Sequence, residues 1–71
     1  QGPVVFRDSG GFVVDMPSAA RVAAMVNRSD WNATVHLRRY LKQVGVVKAL
    51  EDAGVGPGDP VRIGKVEWEW E

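Results

Sequence analysis

Two short runs of alternating apolar residues near the start of the chain predict a β-hairpin. The runs cover residues 4–7 and 12–14, and the four residues between them include two glycines. Alternating β-rich residues are typical of strands, and glycine accepts the positive φ that tight turns require. Because side chains alternate faces along a strand, Val4 and Phe6 form one apolar stripe, and Phe12 and Val14 form another. Another element must pack on one of these stripes to bury it.

The next segment has helical spacing and can supply that element. Val22, Met25 and Val26 recur at i, i+3 and i+4 among alanines, and Pro17 suits the first position of a helix. The pattern predicts a first helix over residues 17–27, with these three side chains facing the hairpin. A polar connection over residues 28–31 follows it.

A longer amphipathic pattern predicts a second helix, with Asn32 as its N-cap. Basic and amide side chains mostly occupy one side of it. The apolar stripe on the other side consists of Ala33, Leu37, Tyr40, Leu41 and Val44. Gly45 can end this helix in the left-handed conformation. A short third helix then carries Val46, Ala49, Leu50 and Ala53 inward before Gly54 ends it in the same way.

Residues 61–70 alternate between apolar and polar, but they change register on the way. Val61 and Ile63 share one parity, and Val66, Trp68 and Trp70 share the other, so a straight strand would place half of them on the wrong face. We favour a bulge or bend at residues 64–65, where glycine tolerates the required backbone geometry. A pair of short strands, or one strand with two apolar faces, is the alternative. A bulge would point Arg62, Glu67, Glu69 and Glu71 outward.

These elements predict an α+β fold. A small, mainly antiparallel sheet would combine the N-terminal hairpin with a C-terminal bent strand or strand pair, and three helices would pack on one face. A chain of 71 residues has room for a single domain, 1–71, in which residues 1–3 are a linker or a non-native remnant. Without cysteine there is no disulfide or thiolate metal site, so apolar packing must supply the stability.

The charges are balanced overall but unevenly distributed. The formal net charge of zero argues against a general nucleic-acid or membrane binder. Between Trp31 and Leu50, however, the chain carries four basic residues and no acid, which permits a local basic patch. The four are Arg38, Arg39, Lys42 and Lys48, and they are the candidate contacts for RNA or the ribosome, through phosphates rather than bases.

The sequence matches no motif for catalysis, cofactor binding or metal binding. The Gly64-Lys65 pair does not end a phosphate-binding loop, because Asp59 stands where glycine is required and Val66 where serine or threonine is required. His36 has no nucleophile to activate, and the glutamates of the last strand fit a sheet edge better than a cation site. We therefore expect no catalytic, cofactor or metal residue. With no apolar run of about 18 residues, we also expect no membrane span and a cytoplasmic location.

An ordered series of short motifs over residues 29–70 carries a family resemblance. The motifs are SDWN at 29–32, LKQVGV at 41–46, KAL at 48–50, GV at 54–55, GD at 58–59, VRIG at 61–64 and EWEW at 67–70. The series resembles the C-terminal domain of the Obg family of GTPases, and the resemblance extends upstream over essentially the whole chain. The chain departs from the family in carrying Trp68 and Trp70 where Phe is common, which changes packing volume and puts no function in doubt.

The resemblance implies a non-catalytic module that follows a glycine-rich domain and a GTP-binding domain. GTP and Mg²⁺ would belong to the latter domain, and none to this chain. The parent protein would act in large ribosomal subunit assembly and in stress or growth control. The partners would be the neighbouring GTPase domain and the large subunit or its RNA, with the chain a monomer. The matched positions have structural roles: Gly45 and Gly54 as helix stops, Gly58 and Asp59 in a turn, and Leu50, Val61, Ile63, Trp68 and Trp70 in the core.

Two functional hypotheses follow, from different classes. The first is a regulatory or docking module of an Obg-like GTPase. The alternative is a small RNA-binding module that uses the basic face of helix two. An independent enzyme would need a pocket with a perturbed ionisable group, and the sequence nominates none.

Overall fold

The computed structural model describes residues 2–27 and 29–71, which form an α+β fold as predicted. Gln1 in the expected linker and Arg28 in the expected connection lie outside the described residues. The elements, in chain order, are β1 (Val4–Asp8), β2 (Gly11–Asp15), α1 (Pro17–Met25), α2 (Trp31–Gln43), α3 (Val46–Asp52), β3 (Pro60–Ile63) and β4 (Val66–Glu69). The hairpin, the order of elements and the mixed fold class are confirmed.

The described strands form one sheet in the order β1-β2-β3-β4. The outer pairs, β1 with β2 and β3 with β4, are antiparallel, and the central pair is parallel. In the central pair Phe12 lies opposite Val61, and Val14 lies opposite Ile63. A parallel pair needs a long crossover connection, and here all three described helices lie between β2 and β3. The sheet is therefore mainly antiparallel, and the helices pack on one of its faces.

The predicted bulge at residues 64–65 is wrong, and the strand pair is correct. Gly64 and Lys65 form a two-residue turn, and β4 runs back along β3 with Ile63 opposite Val66. Gly64 has a φ of 61°, which such tight hairpin turns commonly require. After a two-residue turn an odd-numbered position lies opposite an even-numbered one and shares its face. The reversal of the chain therefore explains the change of parity without an inserted residue.

The core lies between the helices and the covered face of the sheet. Its buried residues are Phe12, Val14, Ala19, Ala23, Leu37, Leu41, Val46, Leu50, Val61 and Ile63. Leu50, Val61 and Ile63 have no exposed surface, as expected of core positions. Trp68 and Trp70 are only half-buried and pack against the margin of the core. Apolar burial of this kind is the main favourable term in folding.

Of the three side chains of the first helix predicted to face the hairpin, Val22 and Val26 are half-buried and pack against the core, and only Met25 does not. Ala19 and Ala23 are fully buried, whereas Met25, expected to face the hairpin, is 84% exposed. Because successive residues turn by about 100°, Met25 points about 200° away from Ala23. Small side chains are needed because the helix lies close to the β3–β4 turn: a Cβ on Gly64 would lie 3.0 Å from the Cβ of Ala20. The helix also ends at Met25, two residues before the predicted end.

The ends of α2 and α3 are set by one acidic cap and two glycines. Asp30, not Asn32, is the N-cap of α2: its carboxylate accepts hydrogen bonds from the amides of Asn32 at 3.0 Å and Ala33 at 3.3 Å. The helix therefore begins one residue before Asn32, at Trp31. At the other ends, Gly45 and Gly54 have φ of 90° and 96°, the left-handed conformation predicted for helix stops.

The loop before β3 is tied to the end of the chain. The carboxylate of Asp59 accepts a hydrogen bond from the amide of Gly56 at 2.8 Å, which closes the turn that contains Gly58. The amide of Trp70 donates to the carbonyl of Asp59 at 2.8 Å, and the amide of Gly58 donates to the carbonyl of Trp70 at 2.7 Å. These bonds extend the pairing of β3 and β4 and hold the indole of Trp70 beside α2.

Candidate interaction surfaces

The basic side chains of α2 line an open groove beside α3. The groove has a volume of about 530 Å³ and is lined by Trp31, Thr34, Val35, Arg38, Arg39, Lys42, Val47 and Glu71. Three of the four predicted basic contacts lie in this lining. In the part of the chain that the structure describes, the lining leaves out the fourth, Lys48, which forms a 3.5 Å ion pair with Asp52 on α3. We call this set of lining residues the basic groove.

One side chain of the basic groove escaped sequence reasoning. Trp31 is expected to lie in a connecting segment, but it is the first residue of α2 and is 76% exposed. Trp31, Val35, Arg38 and Lys42 follow one another at i, i+4, i+7 and i+11, so they share one face of the helix. That spacing was present in the sequence and could have placed the indole beside the basic residues.

The positive charge of the basic groove is only partly balanced. A guanidinium nitrogen of Arg38 lies 3.3 Å from a carboxylate oxygen of Glu71, and the two side chains are 56% and 82% exposed. An ion pair this exposed is screened by water and salt and holds its partners weakly. Arg39 and Lys42 are exposed along the same groove. The groove thus presents three cations and one carboxylate to solvent.

The second surface is the face of the sheet that no described helix covers. Val4 and Phe6 on β1 are 57% and 49% exposed. The sequence predicted that one of the two apolar stripes of the hairpin would be covered. The covered pair is Phe12 with Val14. Phe6 lies opposite Val13, Val13 opposite Arg62, and Arg62 opposite Glu67. We call Val4, Phe6, Asp8, Val13, Asp15, Arg62 and Glu67 the open face. Its apolar side chains lie on β1 and β2, and its charged side chains lie at Asp8, at Asp15 and on β3 and β4.

The charged part of the open face is held by a cross-strand ion pair. A guanidinium nitrogen of Arg62 on β3 lies 2.9 Å from a carboxylate oxygen of Asp8 on β1. The pair bridges β2, which lies between those two strands. The side chains are 44% and 35% exposed, so this contact orients Arg62 more than it stabilises the fold. On the covered face, by contrast, the guanidinium of Arg7 lies 4.9 Å from the ring centre of Phe12.

A smaller groove of about 350 Å³ separates α2 from β4. Its lining comprises Thr34, Leu37, Arg38, Leu41, Val66, Trp68, Glu69, Trp70 and Glu71. Among residues 2–27 and 29–71, no polar or charged residue is buried, and no three His, Asp or Glu side chains converge as metal ligands would. His36 is exposed on α2. Two exposed surfaces of the described residues combine charged and apolar side chains: the basic groove and the open face.

Comparison with known proteins places almost the whole chain in one family. Residues 4–70 match the family described as "Domain of unknown function (DUF1967)". The GTPase Obg of Desulforudis audaxviator is 37% identical over 67 residues, which cover 94% of this chain and 16% of that protein. The GTPase Obg of Rubrobacter xylanophilus is 38% identical over 73 residues, covering 99% of this chain and 17% of that protein. The GTPase Obg of Moorella thermoacetica is 41% identical over 64 residues, covering 90% and 15%.

The chain thus spans about one sixth of the length of these curated relatives. No solved structure gives a significant match to it. Within the described residues, no helix is long and apolar enough to cross a membrane.

Proposed function

The chain belongs to the DUF1967 family, the C-terminal domain of Obg GTPases, and on that basis we propose that it is the non-catalytic docking module of an Obg-like GTPase. Residues 4–70 would make up the whole module. GTP and Mg²⁺ would bind to the GTPase domain elsewhere in the same polypeptide. The parent protein would act in the cytoplasm, in assembly of the large ribosomal subunit and in stress or growth control, with one copy of this module in each monomer.

The observation that carries this proposal is how the chain aligns with its relatives. Nearly all of it, 94% in one case, matches about one sixth of a protein named GTPase Obg. The nucleotide-binding domain of such a protein would therefore lie in the other five sixths of its sequence. The described residues of this chain supply a compact apolar core and two exposed surfaces, which suits a module that works by contact.

The open face is the surface we assign to the neighbouring GTPase domain. Val4 and Phe6 leave about half of their apolar surface in water, and covering it would be favourable at about 25 cal/mol per Å². Arg62 and Glu67, farther across the same face on β3 and β4, add charges that can fix the orientation of a partner. An apolar patch bordered by charged side chains suits an interface between domains of one polypeptide.

Removing residues 4–70 from the full-length polypeptide tests the proposal. We expect the truncated protein to bind GTP as the intact one does, because the binding site lies in another domain. Its affinity for the large ribosomal subunit, or its rate of GTP hydrolysis, should change by about fivefold or more. Fluorescent GTP-analogue titration, co-sedimentation with large subunits and phosphate release measure the three quantities.

The matched control is thermal unfolding of the truncated protein, which shows that the remaining domains are folded. Unchanged subunit affinity and unchanged hydrolysis would refute the proposal. So would loss of GTP binding by a truncated protein that is still folded, because the module would then take part in the nucleotide site.

A further inference from the structure

The exposed indole of Trp31 is the starting point for a ligand of the basic groove. Its ring is 76% exposed although tryptophan is the largest apolar side chain. Its backbone is fixed, because Asp30 caps the helix and the amide of Thr34 donates to the carbonyl of Asp30 at 3.0 Å. The groove therefore begins with a flat aromatic surface held in a defined place on the first turn of α2.

The basic side chains continue from this ring along the helix. Lys42 lies eleven residues after Trp31, about 16 Å along the axis, and Arg38 and Arg39 lie between them. The side chains of all four line the same groove, with the methyl groups of Val35 and Val47. An aromatic surface followed by a row of cations matches a flexible polyanion that carries flat rings.

Single-stranded nucleic acid has this chemistry. A base stacks on an aromatic ring whatever its sequence, and a positively charged groove follows the phosphates. Base-paired RNA fits poorly, because its bases are already stacked and its deep groove is narrow. The three cations of the groove outnumber its one carboxylate, and this positive excess complements phosphate charge. The guanidinium planes of Arg38 and Arg39 can also stack on bases.

Two acceptors in the groove favour RNA over DNA. The hydroxyl of Thr34 donates to the carbonyl of Asp30 at 3.1 Å, which leaves its lone pairs to accept. The carboxylate of Glu71 lines the same groove and is 82% exposed. A ribose 2′-hydroxyl can donate to either group, and deoxyribose cannot.

We propose that the basic groove binds single-stranded RNA, with one base stacked on Trp31 and successive phosphates on Arg38, Arg39 and Lys42. Lys48, which belonged to the sequence-based set, takes no part because it lies on α3 outside the lining of the groove. The inference does not depend on the proposed GTPase-accessory role. Loss of RNA binding and loss of subunit association are separate measurements on separate variants.

The test is fluorescence anisotropy of the 71-residue chain with a fluorescein-labelled oligoadenylate of about 10 nucleotides. Three phosphate contacts predict a slope of about −2 for the logarithm of affinity against the logarithm of salt. Between about 50 and 200 mM salt the affinity should therefore fall by about 15-fold. The DNA oligomer of the same sequence should bind more weakly than the RNA.

Four variants assign the contacts. Trp31→Ala should lower the affinity by about tenfold, and Trp31→Phe should retain most of it, because phenylalanine still stacks. Arg39→Glu should weaken binding and reduce the salt slope by about 1. Lys48→Glu is the matched control: it makes the same charge change at an exposed position outside the groove, and should leave the affinity within about twofold of the original.

All of these residues are exposed or solvent-facing, and circular dichroism checks that each variant is folded. Undetectable or salt-independent binding would overturn the proposal. So would wild-type affinity in Trp31→Ala, equal losses in Lys48→Glu and Arg39→Glu, or DNA binding as tight as RNA binding.

Discussion

Replacing Gly11 with alanine is expected to lower the free energy of unfolding by about 2–5 kcal/mol. Gly11 begins β2 with a φ of 128°, which side-chain-bearing residues rarely adopt. A Cβ at this position would lie 2.5 Å from the carbonyl oxygen of Pro60 and 2.9 Å from its Cβ. Pro60 begins β3, so neither the ring nor the backbone can move without disturbing the parallel pair.

Urea denaturation, monitored by tryptophan fluorescence, measures this decrease in the free energy of unfolding. The expected cost is about half of the whole stability of a domain this small, which is about 4–10 kcal/mol. Gly54→Ala is the matched control, because Gly54 also has a positive φ, 96°, but no described atom lies within 4 Å of the added Cβ. It should cost only about 1–2 kcal/mol. Equal losses at the two glycines would show that the contact with Pro60 is unimportant.

Leu50→Ala is expected to cost about 2–5 kcal/mol, the second large loss of stability. Leu50 has no exposed surface and lies on α3, which packs against β1 and β2. Its carbonyl also accepts a hydrogen bond from the amide of Val55 at 3.1 Å, so the backbone there is held and cannot readily collapse into the space. The cavity left by the missing methyl groups would therefore remain largely unfilled.

Thermal and urea unfolding measure this change. Lys48→Ala on the same helix is the control; it removes an exposed ion pair and should change stability by at most about 0.5 kcal/mol. A loss below about 1 kcal/mol for Leu50→Ala would mean that the site relaxes freely and that α3 is not held by its packing.

The elements with strong periodicity were predictable from the sequence, and the connections between them less so. The apolar stripe of α2, with Leu37 and Leu41 at its centre, has one helical interpretation, and the two runs flanking Gly10 and Gly11 have one hairpin interpretation. The change of parity between Ile63 and Val66 has two interpretations, because an inserted residue and a reversal of the chain direction would place the same side chains inward. Which of them occurs depends on strand pairing, which the local pattern does not contain.

Helix α1 shows a second limit of sequence reasoning. In a sequence, the inner face of a helix is predicted from the spacing of its large apolar side chains, and this spacing included Met25. How closely a helix approaches the sheet is a property of the whole packing, and here the residues of α1 that become fully buried are Ala19 and Ala23, while Val22 and Val26 are only half-buried. Alanine scores as neutral in the apolar pattern, so its burial could not be recognised without the position of the β3–β4 turn.

The candidate surfaces were predictable in part. Arg38, Arg39 and Lys42 were identified by charge alone and lie together in one groove. Trp31 was missed because its place on the helix depends on Asp30, rather than Asn32, being the N-cap. The open face was foreseeable as one of two hairpin stripes, but which stripe the helices cover follows from the side on which the crossover packs. The covered stripe is therefore determined by the tertiary fold and cannot be read from the strand sequences.

Amide hydrogen exchange tests the proposed docking of the open face onto the GTPase domain. The measurement compares exchange at β1 in the full-length polypeptide with that in the 71-residue chain, and repeats the full-length measurement with Phe6→Asp. Covering Val4 and Phe6 should slow exchange in full-length protein by about tenfold. Phe6→Asp should restore the faster rate, while the exposed end of α1 at Met25 exchanges alike in all three. Equal exchange at β1 in the full-length protein and the 71-residue chain would show that no domain covers the open face.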